Sequence, residues 1–234
     1  QTAVGRADEL GSAATFSRLE NGATARDVWA LHGVLLEQFV ASRCTAPDEL
    51  VLDVDATHMP LHGQQERAHF NAHYDNYCYL PLYVFCGQAM LVCYLRNSKI
   101  DGAKHAGAVI RLLVNRIRRS WPEVQIVVRG DSGFCRQGLI RWCERAGVSY
   151  VIGLARNNRL EDRVALVQMA MREAYERSGV KQREIGEFTY AADTWDRERR
   201  VVTRLEYGEQ GVNPRFVVTN LDDPAEELYD EIYC

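Results

Sequence analysis

The strongest constraint on the fold is an alternation of short apolar runs with longer segments that have helical periodicity. From residue 50 to residue 154 the order is strand, two strands that form a hairpin, helix, strand, helix and strand. Helices that recur between strands are typical of a sheet with parallel neighbours, because a parallel crossover needs about a helix's length of chain. The pattern therefore predicts an α/β fold in which a mixed sheet is flanked by helices.

The individual elements follow from the spacing of apolar residues and from Gly and Pro at the breaks. Helices are predicted over residues 12–20, 24–41, 103–120, 136–146 and 158–178, and from Pro224 onward. Strands are predicted over residues 50–54, 77–87, 89–95, 124–129, 150–154, 185–190, 201–207 and 216–219. The character changes from α/β to β late in the chain, and we interpret about 180–212 as a β-rich insertion into the main fold.

These patterns divide the chain into four segments. Residues 1–48 are a helical segment that ends an N-terminal domain, and residues 49–160 are the first part of the α/β domain. Residues 161–214 form a helix plus the β-rich insertion, and residues 215–234 return to the α/β domain. Because the first residue is Gln and a predicted helix is still running at the last one, we expect the chain to be truncated at both ends.

Composition bears on location and on partners. No apolar run reaches about 18 residues and the start has no apolar signal core, which predicts a cytosolic protein. Seven cysteines without a Cys-x-x-Cys pair indicate reduced thiols. The net charge of −4 argues against nucleic acid as a partner, but only three of the 28 basic residues are Lys. The rest are Arg, the better bidentate ligand for phosphate, so DNA binding is permitted.

Aspartates stand at the ends of two predicted strands. Asp53 and Asp55 alternate on one strand and share a face, and Asp131 follows another strand between two glycines. Carboxylates that converge at strand ends are the ligands that a pair of Mg²⁺ ions requires. Acids after strands are also common turn formers, and spacing alone does not separate the two interpretations. The apolar strands that lead into both acids favour the metal site.

Five ordered blocks make the pattern specific. They are Leu52-Asp53-Val54-Asp55-Ala56-Thr57 and the blocks at residues 62–66, 78–85, 129–134 and 217–221. In content and order they resemble bacterial insertion-sequence DDE transposases of the insertion-sequence-four superfamily, whose catalytic domain is ribonuclease-H-like. The resemblance implies DNA transposition by metal-dependent phosphoryl transfer, in which transposon ends are cleaved and then joined to target DNA. It also implies a bacterial enzyme of the cytoplasm, associated with the nucleoid.

The resemblance assigns the site residue by residue. The family's first Asp, followed two residues later by Thr, falls on Asp55 with Thr57, and its second Asp falls on Asp131. Both are implied to be catalytic and to bind Mg²⁺, with Mn²⁺ as a substitute. Asp53 is the fallback for the first position because it shares the face with Asp55. Thr57 and Ser132 are expected to support the metal ligands.

A third ligand is implied by the resemblance, in the form of a Glu on a late helix. It belongs to the signature Tyr-(two residues)-Arg-(three residues)-Glu, and Tyr233 fits the opening Tyr. The Glu would then lie beyond Cys234, so we expect this fragment to lack the third carboxylate and to be inactive alone. Three nearby acids precede the signature Tyr and are interpreted as surface residues instead: Glu226, Glu227 and Glu231.

The implied partner is double-stranded DNA, both transposon ends and target, with no membrane and with a homodimer in the full-length protein. Four arginines of the β-rich insertion are the candidates for contact with DNA phosphates: Arg197, Arg199, Arg200 and Arg204. A second group lies along one predicted helix and is interpreted as a solvated face: Arg111, Arg116, Arg118 and Arg119.

Three alternatives stay open at this point. His58, His62, His69 and His73 are spaced like a possible zinc site, although a polar loop is the favoured interpretation because Pro60 and Gly63 break any helix there. The same carboxylates would also serve a ribonuclease-H-like nuclease that hydrolyses without joining. A non-catalytic, DNA-binding remnant of a transposase is the third possibility.

Overall fold

A nine-stranded mixed sheet runs through the computed structural model, which describes residues 12–234. The predicted N-terminal helical segment, residues 1–48, is therefore described from residue 12 onward, and residues 1–11 lie outside the described part. The sheet carries helices on its faces, so the predicted α/β class with a mixed sheet flanked by helices is confirmed.

The helices and strands are numbered here in chain order. The helices are α1 (Ala13–Gly22), α2 (Ala25–Ala41), α3 (Ala106–Ser120), α4 (Gln137–Arg145), α5 (Asn158–Ser178) and α6 (Ala225–Glu227). The strands are β1 (Glu49–Ala56), β2 (Met59–Pro60), β3 (His69–Asn71), β4 (Asn76–Tyr79), β5 (Leu82–Cys86), β6 (Ala89–Tyr94), β7 (Gln125–Gly130), β8 (Ser149–Leu154), β9 (Gln182–Tyr190), β10 (Arg199–Gly208), β11 (Gly211–Val212) and β12 (Arg215–Thr219). Helix α6 continues as a wider, π-helical segment, Leu228–Tyr233, and the two together are called the C-terminal helix.

Strand order and direction place the ends of β1 and β7 side by side. The large sheet has the order β11-β10-β12-β8-β7-β1-β5-β6, with β9 also paired to β10. Strand β1 is parallel to β7, and β7 is parallel to β8. The connections through α3 and α4 make these parallel pairs possible, while the β5–β6 hairpin turns at Gly87, whose φ is 57°.

The large sheet is covered on both faces. Alternate residues of β1, including Leu52 and Val54, point into the main core, which also receives residues from α2 to α5. The opposite face forms a smaller cluster in which Leu228 and Tyr229 of the C-terminal helix cover Val127 and its neighbours. Fully burying each side chain of this size contributes roughly 1.5–3 kcal/mol, so the C-terminal helix is packed onto the sheet by apolar contact.

The predicted strand at residues 77–87 is divided in two by Leu80 and Pro81. Strand β4 joins a second, three-stranded sheet of order β2-β4-β3, whereas β5 joins the large sheet. Proline has no backbone N–H to give to a ladder, and the Leu80 N–H donates to the Arg96 carbonyl instead. The predicted loop after β1 therefore contains two short strands that the sequence pattern did not reveal.

The strands interpreted as a β-rich insertion are continuous with the large sheet. Strand β10 pairs with β12 from Arg200 to Arg204, and β12 pairs with β8, so β9 and β10 form the far end of the same sheet. Within residues 12–234, none of the helices has the length and apolar character needed to cross a membrane.

Candidate metal-binding site at the ends of adjacent strands

Asp55 and Asp131 follow register partners on neighbouring parallel strands. Val54 of β1 is the partner of Gly130 of β7. Asp55 follows Val54 within β1, and Asp131 is the first residue after the end of β7. Parallel neighbours lie about 4.8 Å apart, so the two aspartates lie side by side at the carboxyl ends of these two central strands. Both are exposed. The structure thus brings together the two residues that the sequence assigned to metal binding.

The Asp55 carboxylate is oriented by Thr57. The Thr57 hydroxyl donates to Oδ2 of Asp55 at 2.7 Å, and the Thr57 backbone N–H donates to the Pro81 carbonyl at 3.2 Å. A hydrogen bond to an ionised acceptor is stronger than one between neutral groups. The expected supporting contact of Thr57 is therefore present, and Oδ1 of Asp55 has no hydrogen-bond partner among residues 12–234.

The Asp131 carboxylate is oriented by its own loop. Asp131 caps a short 3-10 turn, Ser132–Phe134, and its Oδ1 accepts from the Gly133 N–H at 2.8 Å. A Cβ added to Gly133 would lie 2.9 Å from that oxygen, and one added to Gly130 would lie 3.3 Å from the Phe134 ring. The two flanking glycines let this loop close tightly, and within the described part of the chain Oδ2 of Asp131 accepts no hydrogen bond.

Gly153 of β8 is a site residue that the sequence interpretation missed. A Cβ at this position would lie 2.8 Å from both the Ser132 backbone nitrogen and the Tyr233 hydroxyl, and 3.2 Å from the Asp131 carbonyl carbon. Glycine is required where another backbone approaches this closely. The signal was a single Gly inside the apolar strand pattern at residues 150–154.

Tyr233 brings the C-terminal helix to the Asp131 loop. Burial raises the pKa of the Tyr233 hydroxyl, and the negative charge of Asp131 raises it further. The ring packs beside Tyr229, with 5.5 Å between ring centroids. The residue that fits the opening Tyr of the signature therefore lies beside Gly153, near the loop of Asp131.

Asp53 is held by Arg129, its register partner on β7. Arg129 Nε donates to Oδ1 of Asp53, and Arg129 Nη2 donates to Oδ2 at 3.0 Å. This hydrogen-bonded pairing raises the pKa of the Arg129 guanidinium. Because both carboxylate oxygens are engaged by a cation, Asp53 is less suited to a metal than Asp55, which weakens the fallback assignment.

A third acidic ligand is not found within residues 12–234, where no group of three or more His, Cys, Asp or Glu side chains lies close enough to hold a metal ion. The three acids that precede Tyr233 are exposed, as expected: Glu226, Glu227 and Glu231. Glu226 lies 3.9 Å from Arg183 of β9, on the sheet end remote from β1.

The four histidines of the alternative zinc site do not converge. His58 stacks on Tyr74, with ring centroids 4.4 Å apart, and His73 meets the same ring edge-on at 4.8 Å. His69 lies in β3 and pairs through its backbone with Cys78. Among residues 12–234, no three of these histidines lie close enough together to hold a metal ion.

Arg199, one of the four predicted phosphate contacts, is buried within the protein, and its side chain is only 3% exposed. Its guanidinium donates to both carboxylate oxygens of Glu144, at 2.7 and 3.0 Å, and to Asp196 at 2.9 Å. Burial acts to raise the pKa of Glu144, but the hydrogen bonds from Arg199 and Arg197 outweigh it and lower the pKa. Arg197 joins the same network, yet its side chain is 60% exposed.

Two further arginines of that group are occupied within the protein. Arg200 pairs with Glu187 and donates to the Leu221 carbonyl at 2.7 Å. Arg204 lies over the Tyr229 ring, 5.5 Å from its centroid, and its side chain is 19% exposed. Of the four predicted DNA contacts, Arg197 alone keeps most of its side chain in solvent.

A mixed sheet flanked by helices, with aspartates at the ends of adjacent parallel strands, is the architecture expected of a DDE transposase domain. The comparison with protein families gives the particular family. The family described as "Transposase DDE domain group 1" matches residues 1–234, which is the whole chain, and the chain belongs to this family. Transposases of this class generally use divalent metal ions.

Among solved structures, the chain is similar to the piggyBac transposase in the cryo-EM structure of its synaptic complex with hairpin DNA. The identity is 12% and the TM-score is 0.43, and the match covers 85% of this chain. This chain spans 39% of the length of the piggyBac chain. No curated protein matches the sequence.

Proposed function

We propose that this chain is catalytic-domain sequence of a DNA transposase that works by divalent-metal-dependent phosphoryl transfer, with Asp55 and Asp131 as metal ligands. The observation that carries the proposal is the position of these two acids, each directly after one member of the register pair Val54 and Gly130. Adjacent carboxylates at the ends of two paired strands are suited to a hard cation.

The donor set fits Mg²⁺, with Mn²⁺ as a substitute. Asp55 and Asp131 each have one carboxylate oxygen hydrogen-bonded to the protein and the other free. Within the described residues neither forms a salt bridge, so their negative charge is available to a cation. When bound, a metal pair stabilises the attacking and leaving oxygens of an in-line displacement at phosphorus. The chain's own contribution is to fix the two carboxylates through Thr57 and Gly133.

The third ligand in this proposal is the Glu of the signature that Tyr233 opens. In that signature the Glu follows the Tyr by seven residues, and residues seven apart lie on the same face of a helix. The Tyr233 hydroxyl already lies beside Gly153, next to the loop of Asp131. A Glu on the same face, contributed by sequence downstream of Cys234, would complete the acidic set.

The finer assignments follow the family and the resemblance. The strand order β6-β5-β1-β7-β8, with β1, β7 and β8 parallel, supports a ribonuclease-H-like class. The substrate is double-stranded DNA at transposon ends and at the target, and the full-length protein acts as a homodimer on paired ends. The parent element is a bacterial insertion sequence of the insertion-sequence-four superfamily, and the enzyme works in the cytoplasm at the nucleoid.

The test uses the chain extended downstream through the signature, with transposon-end DNA and Mg²⁺ or Mn²⁺. Asp55→Asn and Asp131→Asn should each lower cleavage and strand transfer at least about 100-fold, since metal stabilisation of the transition state supplies several kcal/mol. The matched control is Asp162→Asn, at an exposed position of α5, which should leave both activities unchanged.

Two results would count against the proposal. Cleavage that persists in both aspartate variants would remove the assigned ligands. Cleavage without any strand transfer by the extended, unsubstituted chain would favour a hydrolytic nuclease.

A further inference from the structure

Three carboxylates, not two, lie on one small face of the large sheet. Asp53 and Asp55 are two residues apart on β1 and therefore share a face, and Asp131 leaves the neighbouring strand beside Asp55. Two residues along a strand span roughly 6.6 Å, close enough for strong repulsion between like charges. Within the described residues, however, the three side chains do not converge into a group that could hold a metal ion. Some feature of the chain must decide which of the three acids is available to a cation.

Arg129 is the one basic side chain bonded to this acidic face among the described residues. It is the register partner of Asp53, it stands two residues before Asp131, and it binds both oxygens of the Asp53 carboxylate. The two side chains are similarly shielded, with exposures of 29% for Arg129 and 30% for Asp53. A bidentate pair of this kind fixes geometry as well as charge.

The guanidinium also reaches the C-terminal helix. Arg129 Nη1 donates to the Ile232 carbonyl at 2.6 Å, next to Tyr233. One side chain therefore links β7, β1 and the helix whose Tyr233 lies against the Asp131 loop. Within the described residues, Arg129 forms no hydrogen bond to Asp55 or Asp131. It therefore acts on these two aspartates through its pairing with Asp53 and through its own positive charge.

We infer that Arg129 is a positioning residue that withholds Asp53 from the metal site and so confines cation binding to Asp55 and Asp131. This inference rests on the proposed function. Removing Arg129 would release two carboxylate oxygens next to Asp55, and a cation would then be drawn toward Asp53, where it is misplaced for the reaction. Removing Asp53 alone would instead leave an unpaired guanidinium charge beside the site.

The experiment is a charge cycle read by Mn²⁺ binding to the 234-residue chain, measured by electron paramagnetic resonance titration of free Mn²⁺. Arg129→Gln should tighten Mn²⁺ binding at least about threefold, and Asp53→Asn should weaken it at least about threefold, through the sign of the charge each leaves behind. The double variant should return to within about twofold of the unsubstituted protein. In the chain extended through the signature, Arg129→Gln should lower DNA cleavage despite its tighter binding.

A purely structural role makes a different forecast: both single variants would weaken binding and the double variant would be weaker still. That result, or unchanged affinity in both single variants, would overturn the inference. Asp53→Asn is nearly isosteric, so this variant still tests the inference if Arg129→Gln unfolds. Tighter or unchanged Mn²⁺ binding by Asp53→Asn would contradict the inference. Asp55→Asn and Asp131→Asn serve as separate controls, because Mn²⁺ binding that survives both would reject the proposed function itself.

Discussion

Gly153 shows at the residue scale how an absent side chain makes room for the Asp131 loop and for Tyr233. Any Cβ at this position would overlap the Ser132 backbone nitrogen and the Tyr233 hydroxyl, each 2.8 Å away. Gly153→Ala should therefore destabilise the protein by about 1–3 kcal/mol through overpacking, as measured by urea unfolding.

The matched control for this substitution is Gly138→Ala in α4, where nothing lies within 4 Å of the added Cβ. Alanine is favoured over glycine inside a helix by roughly 0.5–1 kcal/mol, so the control should be neutral or stabilising. Equal losses of stability in the two variants would show that the close approach at Gly153 is unimportant.

Glu144 gives a pH-dependent prediction at the same scale. Its pKa is lowered in the folded protein, chiefly by the hydrogen bond from Arg199 acting against burial. A lowered pKa means that the carboxylate stabilises the fold above its ordinary pKa of about 4.3, and that this contribution is lost as the pH falls through the folded pKa. Glu144→Gln should cost up to about 3 kcal/mol at pH 7, because the buried Arg199 guanidinium loses the carboxylate that binds it at two points and keeps only its contact with Asp196.

The corresponding measurement is urea unfolding of the two proteins at pH 7 and at successively lower pH. The difference in unfolding free energy between the unsubstituted protein and Glu144→Gln should shrink as the pH falls below the ordinary range of Glu. A difference that stays constant or grows with acidity would contradict the assigned ion pair.

Some features of the candidate site could be predicted from the sequence, and others could not. Asp55 and Asp131 could be proposed because each ends an apolar strand, which is a local pattern. The pairing of Asp53 with Arg129 joins residues 76 apart and depends on strand register, which local patterns do not encode. The burial of Arg199 was missed for the same reason, since its partner Glu144 lies 55 residues away on α4.

At the scale of elements, the C-terminal helix is the part that closes the acidic face of the sheet. Leu228 is fully buried there beneath Tyr229 and against Val127. Leu228→Ala should cost about 2–5 kcal/mol of unfolding free energy by leaving a cavity, and it should speed amide exchange in the helix before other elements.

Leu166→Ala is the control for this element. Leu166 is 81% exposed on α5, so its loss should change stability by less than about 0.5 kcal/mol. If Leu228→Ala were as mild as the control, the helix would not be held by this contact, and its role in closing the acidic face would have to be abandoned.

Long elements were predictable and short ones were not. The helices of residues 24–41, 103–120 and 158–178 appear near their predicted positions as α2, α3 and α5, because apolar periodicity over many residues is a strong signal. Strands β2 and β3 span only two and three residues, too short for any period to show. Likewise, the pairing of β10 with β12 is a non-local property, so continuity of the late strands with the large sheet could not be predicted.

At the scale of the whole molecule, the carboxyl ends of two central strands hold two oriented aspartates, and a guanidinium on the same face pairs with a third. The strands β1, β7 and β8 supply the acids and Gly153, while the C-terminal helix packs on the same face. This arrangement belongs to a member of the DDE transposase family. The proposed chemistry depends on a cation that binds between Asp55 and Asp131.

The most direct test of that claim is to map the cation itself with Fe²⁺, ascorbate and hydrogen peroxide, which cut the backbone beside a bound iron. We expect cuts in the 234-residue chain near residues 55 and 131, which excess Mg²⁺ should suppress and which Asp55→Asn should abolish. Cuts confined to the histidine loop at residues 58–73, or cuts near 55 and 131 that survive Asp55→Asn, would contradict it.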